Sequence, residues 1–139
     1  MRKLCNIVAS QTPLTLSPGT TVQDACVRMR DRATGSVLVT DENKALVGIF
    51  TTNDVVCRVI APCKDPAKVT LQDVMTPAPQ TLSPEKSAID ALRLMWDGGF
   101  HHVPLTRAGE VIGIVARSDF TADEHEHLAR ERQLWEHMR

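Results

Sequence analysis

The sequence carries no excess of either charge: 16 Lys+Arg stand against 17 Asp+Glu, for a formal net charge of −1. A balance of that kind gives no general attraction for nucleic acid or for an anionic membrane, so any hold on an anion must be local. No apolar run approaches the ~20 residues of a spanning helix. The opening Met1-Arg2-Lys3-Leu4-Cys5-Asn6 is not followed by the apolar stretch of a signal peptide. A cytoplasmic protein with neither nucleic-acid nor membrane partners is expected. Cys5, Cys26, Cys57 and Cys63 contain no Cys-x-x-Cys pair, so they are expected as reduced thiols, two or three of them buried. A glycine-rich phosphate loop and a nucleophile-base-orienter set are also missing, and no enzyme is expected.

What is present is a repeat. At 139 residues the chain can bury roughly 68% of its unfolded surface on folding, enough for one core or for two tightly linked half-size units. Thr15-Leu16-Ser17-Pro18 recurs as Thr81-Leu82-Ser83-Pro84, an offset of 81 − 15 = 66. Holding that offset from Ser10–Thr40 against Thr76–Thr106 gives 11 identities in 31 positions, among them Asp24/Asp90, Ala25/Ala91 and Met29/Met95. About two would arise by chance. At offset 65, Gly48-Ile49-Phe50-Thr51-Thr52-Asn53-Asp54 meets Gly113-Ile114-Val115-Ala116-Arg117-Ser118-Asp119. The boundaries expected are a first repeat over 1–61, a linker over 62–72 that holds Pro62 and Pro66, a second repeat over 73–122 and a helical extension over 123–139.

Each repeat reads as strand, helix, strand, strand, helix. Val22, Ala25, Cys26 and Met29 fall at i, i+3, i+4, i+7, and Ala88, Ala91, Leu92 and Met95 repeat the spacing, the apolar stripe of an amphipathic helix. Thr21 with Asp24 and Ser87 with Asp90 have capping-box spacing, which makes those aspartates structural; Gly98-Gly99 ends the second helix. Val37–Val39 and Ala45–Phe50 read as strands about the turn Asp41–Lys44, and Val103–Thr106 and Val111–Val115 do so later. Helices follow over Asn53–Ile60 and from about Ser118 onward. Met29, Met95 and Trp96 are expected to pack. A unit of this size with a half-covered sheet cannot bury enough apolar surface alone. The two repeats are therefore expected to pack sheet to sheet about a pseudo-twofold axis, with two equivalent clefts suited to small molecules.

The motifs Asp73-Val74-Met75-Thr76, Thr81-Leu82-Ser83-Pro84, Asp90-Ala91, Phe100-His101-His102-Val103-Pro104-Leu105 and Gly113-Ile114-Val115 ending in Ser118-Asp119 resemble the cystathionine β-synthase (CBS) domain family, from about Cys5 to Phe120. The resemblance implies an α+β tandem CBS pair with a C-terminal helical extension. It implies a regulatory module that binds AMP, ADP, ATP or S-adenosylmethionine, requires no cofactor or metal, and associates as a homodimer. The family signature carries over to Thr51 and Asp54: the carboxylate would accept the two ribose hydroxyls, with the Thr near ribose or phosphate. The resemblance places Thr76, Pro77, Phe100, His101 and His102 opposite Asp54, the histidines as phosphate donors and Phe100 as an apolar wall. A second cleft would combine Arg117, Ser118 and Asp119 with Ser10, Gln11, Thr34, Gly35 and Ser36. There Ala116 stands where the first site has Thr51, and no histidine is present, so the two sites are expected to differ.

Simpler roles stand beside these. Thr51 with Asp54 satisfies a helix N-cap rule whatever it binds, and Ser118 is placed to cap the last helix. Adjacent His101 and His102 on a strand face opposite ways and poorly suit one metal ion. In the tail, Leu128, Trp135 and Met138 lie near one face, flanked by Leu134, and serve either packing or a dimer or partner contact. The function expected is nucleotide sensing read by a separate effector protein; the alternative is a structural adaptor with degenerate clefts, acting through dimerisation and its last helix.

Overall fold

The computed structural model describes residues 2–138. In chain order the first half holds α1 (Leu4–Ile7), β1 (Thr15–Leu16), α2 (Val22–Arg32), β2 (Ser36–Thr40), β3 (Leu46–Thr51) and the short α3 (Thr52–Asp54), which runs into a π-helix over Val55–Ile60. The second half holds α4 (Leu71–Val74), β4 (Thr76–Pro77), α5 (Ala88–Gly98), β5 (His102–Arg107), β6 (Glu110–Ala116), a 3-10 turn over Arg117–Asp119, and α6 (Ala122–His137). Among the described residues no helix is long and apolar enough to cross a membrane.

The chain divides into two compact units. The first-repeat unit comprises Thr12–Gln80 with Ala108–Val111. Its sheet has the order β1-β2-β3-β4: β1 runs parallel to β2, while β2 with β3 and β3 with β4 are antiparallel. Val22, Ala25 and Met29 of α2 pack on Val37, Val39 and Phe50, with Val59, Leu71 and Val74 closing the core. The second-repeat unit holds the chain up to Gln11, Thr81–Arg107, and from Ile112 onward. Ala88, Ala91, Leu92 and Met95 of α5 pack on Val103, Leu105 and Val115, together with Leu4, Val8 and Leu128. Both helical stripes expected from the sequence therefore face their cores.

The unit boundaries depart from those expected, because each sequence repeat is completed by the segment that precedes the other. The segment before the second repeat, Thr70–Pro77, folds on the first: Thr21 bridges Thr70 and β4 pairs with β3. The segment before the first repeat folds on the second, where Leu4 N–H donates to Lys86 O (2.9 Å), Cys5 N–H to Pro84 O (2.8 Å) and Ala88 N–H to Arg2 O (2.8 Å). Leu4 and Val8 supply apolar bulk that α5 alone lacks.

Further corrections concern particular residues. Trp96 follows Met95 by one residue, about 100° around the helix, so it leaves the stripe. It is 52% exposed, with the Arg132 guanidinium 4.7 Å above its ring. None of the cysteines is fully buried: Cys5 and Cys26 are half-buried, Cys57 and Cys63 exposed. Burial still pushes the Cys26 thiol pKa upward. The helix expected over Asn53–Ile60 begins as α and widens to π at Val55, where Val55, Val56, Val59 and Ile60 crowd the i, i+4 rows with β-branched side chains. Last, the final helix starts after Thr121, not Ser118. Thr121 N–H donates to Glu124 Oε1 (2.9 Å) and Glu124 N–H to Thr121 Oγ1 (3.2 Å), a complete capping box.

Candidate functional site

In the first-repeat unit the end of β3 turns directly into α3, and this turn gathers the candidate residues. Thr51 N–H and Oγ1–H both donate to Asp54 Oδ2, at 2.9 and 3.3 Å. One carboxylate oxygen thus satisfies the helix start, as the simpler reading requires. Asp54 is nonetheless only 7% exposed, and its other oxygen, Oδ1, faces Arg58 Nε at 3.5 Å, longer than the 2.7–2.9 Å of a well-made charge-assisted bond. Beside it, Ser36 pairs with Thr51 across β2–β3, Thr52 N–H donates to Gly35 O (3.1 Å), and Ser36 N–H reaches Thr34 Oγ1 (3.4 Å). Thr76 pairs with Ile49 and Pro77 with Gly48 on the other edge of β3. The approach is close, because a Cβ on Gly48 would overlap the Met75 side chain. Thr34, Gly35, Ser36, Thr51, Asp54, Thr76 and Pro77 are thus brought to one part of this unit.

The second-repeat unit repeats the turn with one group missing. Arg117 N–H donates to His101 O (2.9 Å), the counterpart of Thr52 on Gly35, and Ala116 N–H donates to Asp119 Oδ2 (2.7 Å), the counterpart of Thr51 on Asp54. Ala116 has no hydroxyl to add, and Asp119 and Ser118 are exposed. His102 opens β5 half-buried, and His101 is exposed just before it. Phe100 is half-buried, its ring lying where a Cβ on Gly98 would be. The Arg117 guanidinium lies 5.9 Å from the centre of the Trp96 ring. Arg2 Nη2 donates to Asp119 O (3.0 Å) and to Glu124 Oε1 (2.6 Å), so this turn is tied to the start of α6.

Gln11 has a role that its residue type did not announce. Its Nε2 donates to Ile114 O (2.9 Å) and its Oε1 accepts Ile114 N–H (2.7 Å). In the other unit the matching residue, Ile49, is paired by the backbone of Thr76, so here a side-chain amide does the work of a strand. Ser10 lies exposed beside it. Sequence reasoning passed over Arg58. The available signal was a base four residues after Asp54, the spacing of a helical ion pair.

The turn thus recurs in both units, with a carboxylate bonded back to the last strand residue in each. The profile of the CBS domain matches residues 6–60 and 71–124, and the chain belongs to that family. Over 102 residues it is 42% identical to the CBS domain-containing protein CBSCBSPB2 of Arabidopsis thaliana, an alignment that covers 73% of this chain and 19% of the relative. The chain spans about a fifth of the length of the curated plant relatives it matches. In fold it is similar to a CBS domain protein of Pyrobaculum aerophilum complexed with AMP, at 18% identity and a TM-score of 0.82, covering 92% of this chain and 98% of that one. It is also similar to the CBS domain pair of protein MJ0100 in complex with 5′-methylthioadenosine and S-adenosylmethionine, at 23% identity and a TM-score of 0.76, covering 84% and 94%. The tandem CBS fold implied by the resemblance is thereby shown.

Proposed function

We propose that this CBS pair is a regulatory module that binds an adenosine-containing small molecule at the Asp54 turn and conveys occupancy to a partner, without catalysing a reaction. The observation that carries the reading is the uneven use of the Asp54 carboxylate: Oδ2 is taken up by Thr51, while Oδ1, on a residue only 7% exposed, has only a 3.5 Å ion pair among the described contacts. A carboxylate oxygen in that state can accept hydrogen bonds from a vicinal diol. The molecules held by the two structural relatives, AMP in one and methylthioadenosine with S-adenosylmethionine in the other, share an adenine and a ribose diol and differ at the 5′ position. That common part supports adenosine as the recognised moiety. The turn at Asp119 lacks the hydroxyl and is exposed, and it is the weaker site.

A thermal-shift panel of AMP, ADP, ATP and S-adenosylmethionine, with 2′-deoxy-AMP as the control, tests this. A ligand at 100 times its Kd stabilises by about 2.7 kcal/mol. That shift should fall sharply for the 2′-deoxy compound and for Asp54→Ala. No shift with any adenosine compound, on protein shown to be folded, sinks the reading. A second reading, an adaptor subunit that acts through α6, is favoured by one observation: Leu134 and Trp135 on that helix and Met138 at its C-terminal cap are 66%, 65% and 78% exposed. Loss of self-association or of partner capture on truncation before Arg130, with ligand response absent throughout, would establish it instead.

A further inference from the structure

Three polar groups of the first-repeat unit converge on Arg58, in the π-helical segment. Its Nε lies 3.5 Å from Asp54 Oδ1, and its Nη1 donates to Met75 O at 3.0 Å and to Val74 O at 3.4 Å. Those carbonyls end α4 and lead straight into β4. Helix-terminal carbonyls have no intrahelical donor, and a basic side chain is one of the groups that satisfies them. The guanidinium is therefore shared between a carboxylate and two carbonyls, closer to the carbonyls than to the carboxylate. Its side chain is 46% exposed, so packing does not lock the fork. Gly48, whose missing Cβ lets Met75 lie against β3, puts the same segment within reach of any movement of Arg58.

We infer that Arg58 is a positioning residue that couples occupancy of Asp54 to the hold on Val74–Pro77, an inference that rests on the reading of Asp54 as the diol acceptor. With Oδ1 paired only to Arg58, at 3.5 Å, Asp54 draws the guanidinium away from the chain end it caps. Once Oδ1 accepts the two hydroxyls of a ribose, that pull weakens. Arg58 then bonds to the carbonyls of Met75 and Val74 unopposed, and β4 is held more firmly on β3. The coupling needs a planar cation with several donors. Lysine, a single compact ammonium, can serve the carboxylate or a carbonyl but not all three in one geometry. Because the ligand favours the state in which the segment is held, occupancy and order must be linked in both directions.

Amide hydrogen exchange on the full chain, with and without saturating adenosine, tests the coupling; the nucleoside has no phosphate to draw Arg58 elsewhere. Two reporter amides are Met75, bonded to Leu71 O, and Ala78, bonded to Val47 O. In the wild type, adenosine should slow exchange at both by about threefold or more. In Arg58→Lys and Arg58→Gln, protein that still binds adenosine by titration calorimetry should lose this slowing while keeping it at Thr51–Asp54. Equal slowing at Met75 and Ala78 in wild type and variants, or faster exchange there on binding, overturns the inference even when Asp54 binds as proposed. Absence of any change at Thr51–Asp54 in the wild type is the failure of the Asp54 reading itself, and the inference falls with it. Should the Gln variant not fold, the Lys variant carries the comparison alone.

Discussion

Replacing Gln11 tests the claim that a side-chain amide stands in for a strand. Its carboxamide makes two hydrogen bonds to the backbone of Ile114, donating at 2.9 Å and accepting at 2.7 Å. Each is worth about 1 kcal/mol net. Gln11 itself is exposed while Ile114 is buried, so after Gln11→Ala water can reach part of what is lost, and the full penalty of two stranded buried groups does not apply. The expected loss is about 1–2 kcal/mol, or roughly 3–6 °C in Tm for a chain of this size. Gln11→Met keeps the bulk and removes both bonds, so it should lose about as much as Ala. Gln11→Glu should do at least as badly: at neutral pH it keeps an acceptor for Ile114 N–H but sets a carboxylate oxygen against Ile114 O. Urea unfolding followed by far-UV circular dichroism gives the three values. If Gln11→Met unfolds within about 0.3 kcal/mol of the wild type, the side chain is not acting as a strand and the reasoning is wrong.

Other substitutions follow from the pairing of equivalent positions. Gly113→Ala should destabilise by about 1–3 kcal/mol and more than Gly48→Ala, because its Cβ would meet Val8 Cβ at 2.8 Å, whereas at Gly48 it would meet only the flexible Met75 side chain; denaturant midpoints decide. Gly99 and Ala33 both end helices in the left-handed region, at φ 70° and 50°. Gly99→Ala should therefore lose about 1 kcal/mol, and Ala33→Gly should gain less than that because glycine also loosens the unfolded chain. Burial works to raise the Glu124 pKa, but hydrogen bonds from Arg2 and from the Thr121 amide outweigh it and hold the carboxyl below its usual range. A depressed folded-state pKa means stability that is fully present above the unfolded value of about 4.3 and is lost as pH falls through the folded one. The gap in urea midpoint between wild type and Glu124→Gln should thus be widest at pH 7 and close in strongly acid buffer.

The repeat made the fold legible. The stripes at Val22, Ala25, Met29 and at Ala88, Ala91, Met95, with strands of the right spacing, needed only local periodicity, and these elements formed where expected. What sequence could not show was which segment completes which unit, because Leu4 on Lys86 and Thr70 on Thr21 are long-range choices among similar edges. The Thr51–Asp54 turn was legible as a motif, whereas the division of labour between its two carboxylate oxygens was not, since it depends on Arg58 and on where Met75 ends. The structural role of Gln11 was hidden for a related reason: the resemblance placed it at the second cleft, and only the geometry at Ile114 shows its amide engaged with a strand. Trp96 was placed by adjacency to Met95, and one residue is a quarter-turn and more on a helix.

The exchange of leading segments also sets an order of assembly. The first-repeat unit is nearly continuous in sequence and can close once Thr76–Pro77 has been made. The other unit needs contacts across 103 residues from Gln11 to Ile114 and across 122 from Arg2 to Glu124. Loop closure grows only slowly with separation, about 0.6 kcal/mol per doubling, so the final stability is little affected, but non-local contacts of this span form late. During synthesis the segment up to Gln11 therefore waits, with Leu4 and Val8 uncovered, until Pro84–Met95 have emerged, and its ties at Gln11 and Arg2 close only with β6 and the start of α6. A chain stalled before residue 84 would hold a largely finished first-repeat unit with Leu4 and Val8 still uncovered, the state in which a chaperone would be expected to meet it.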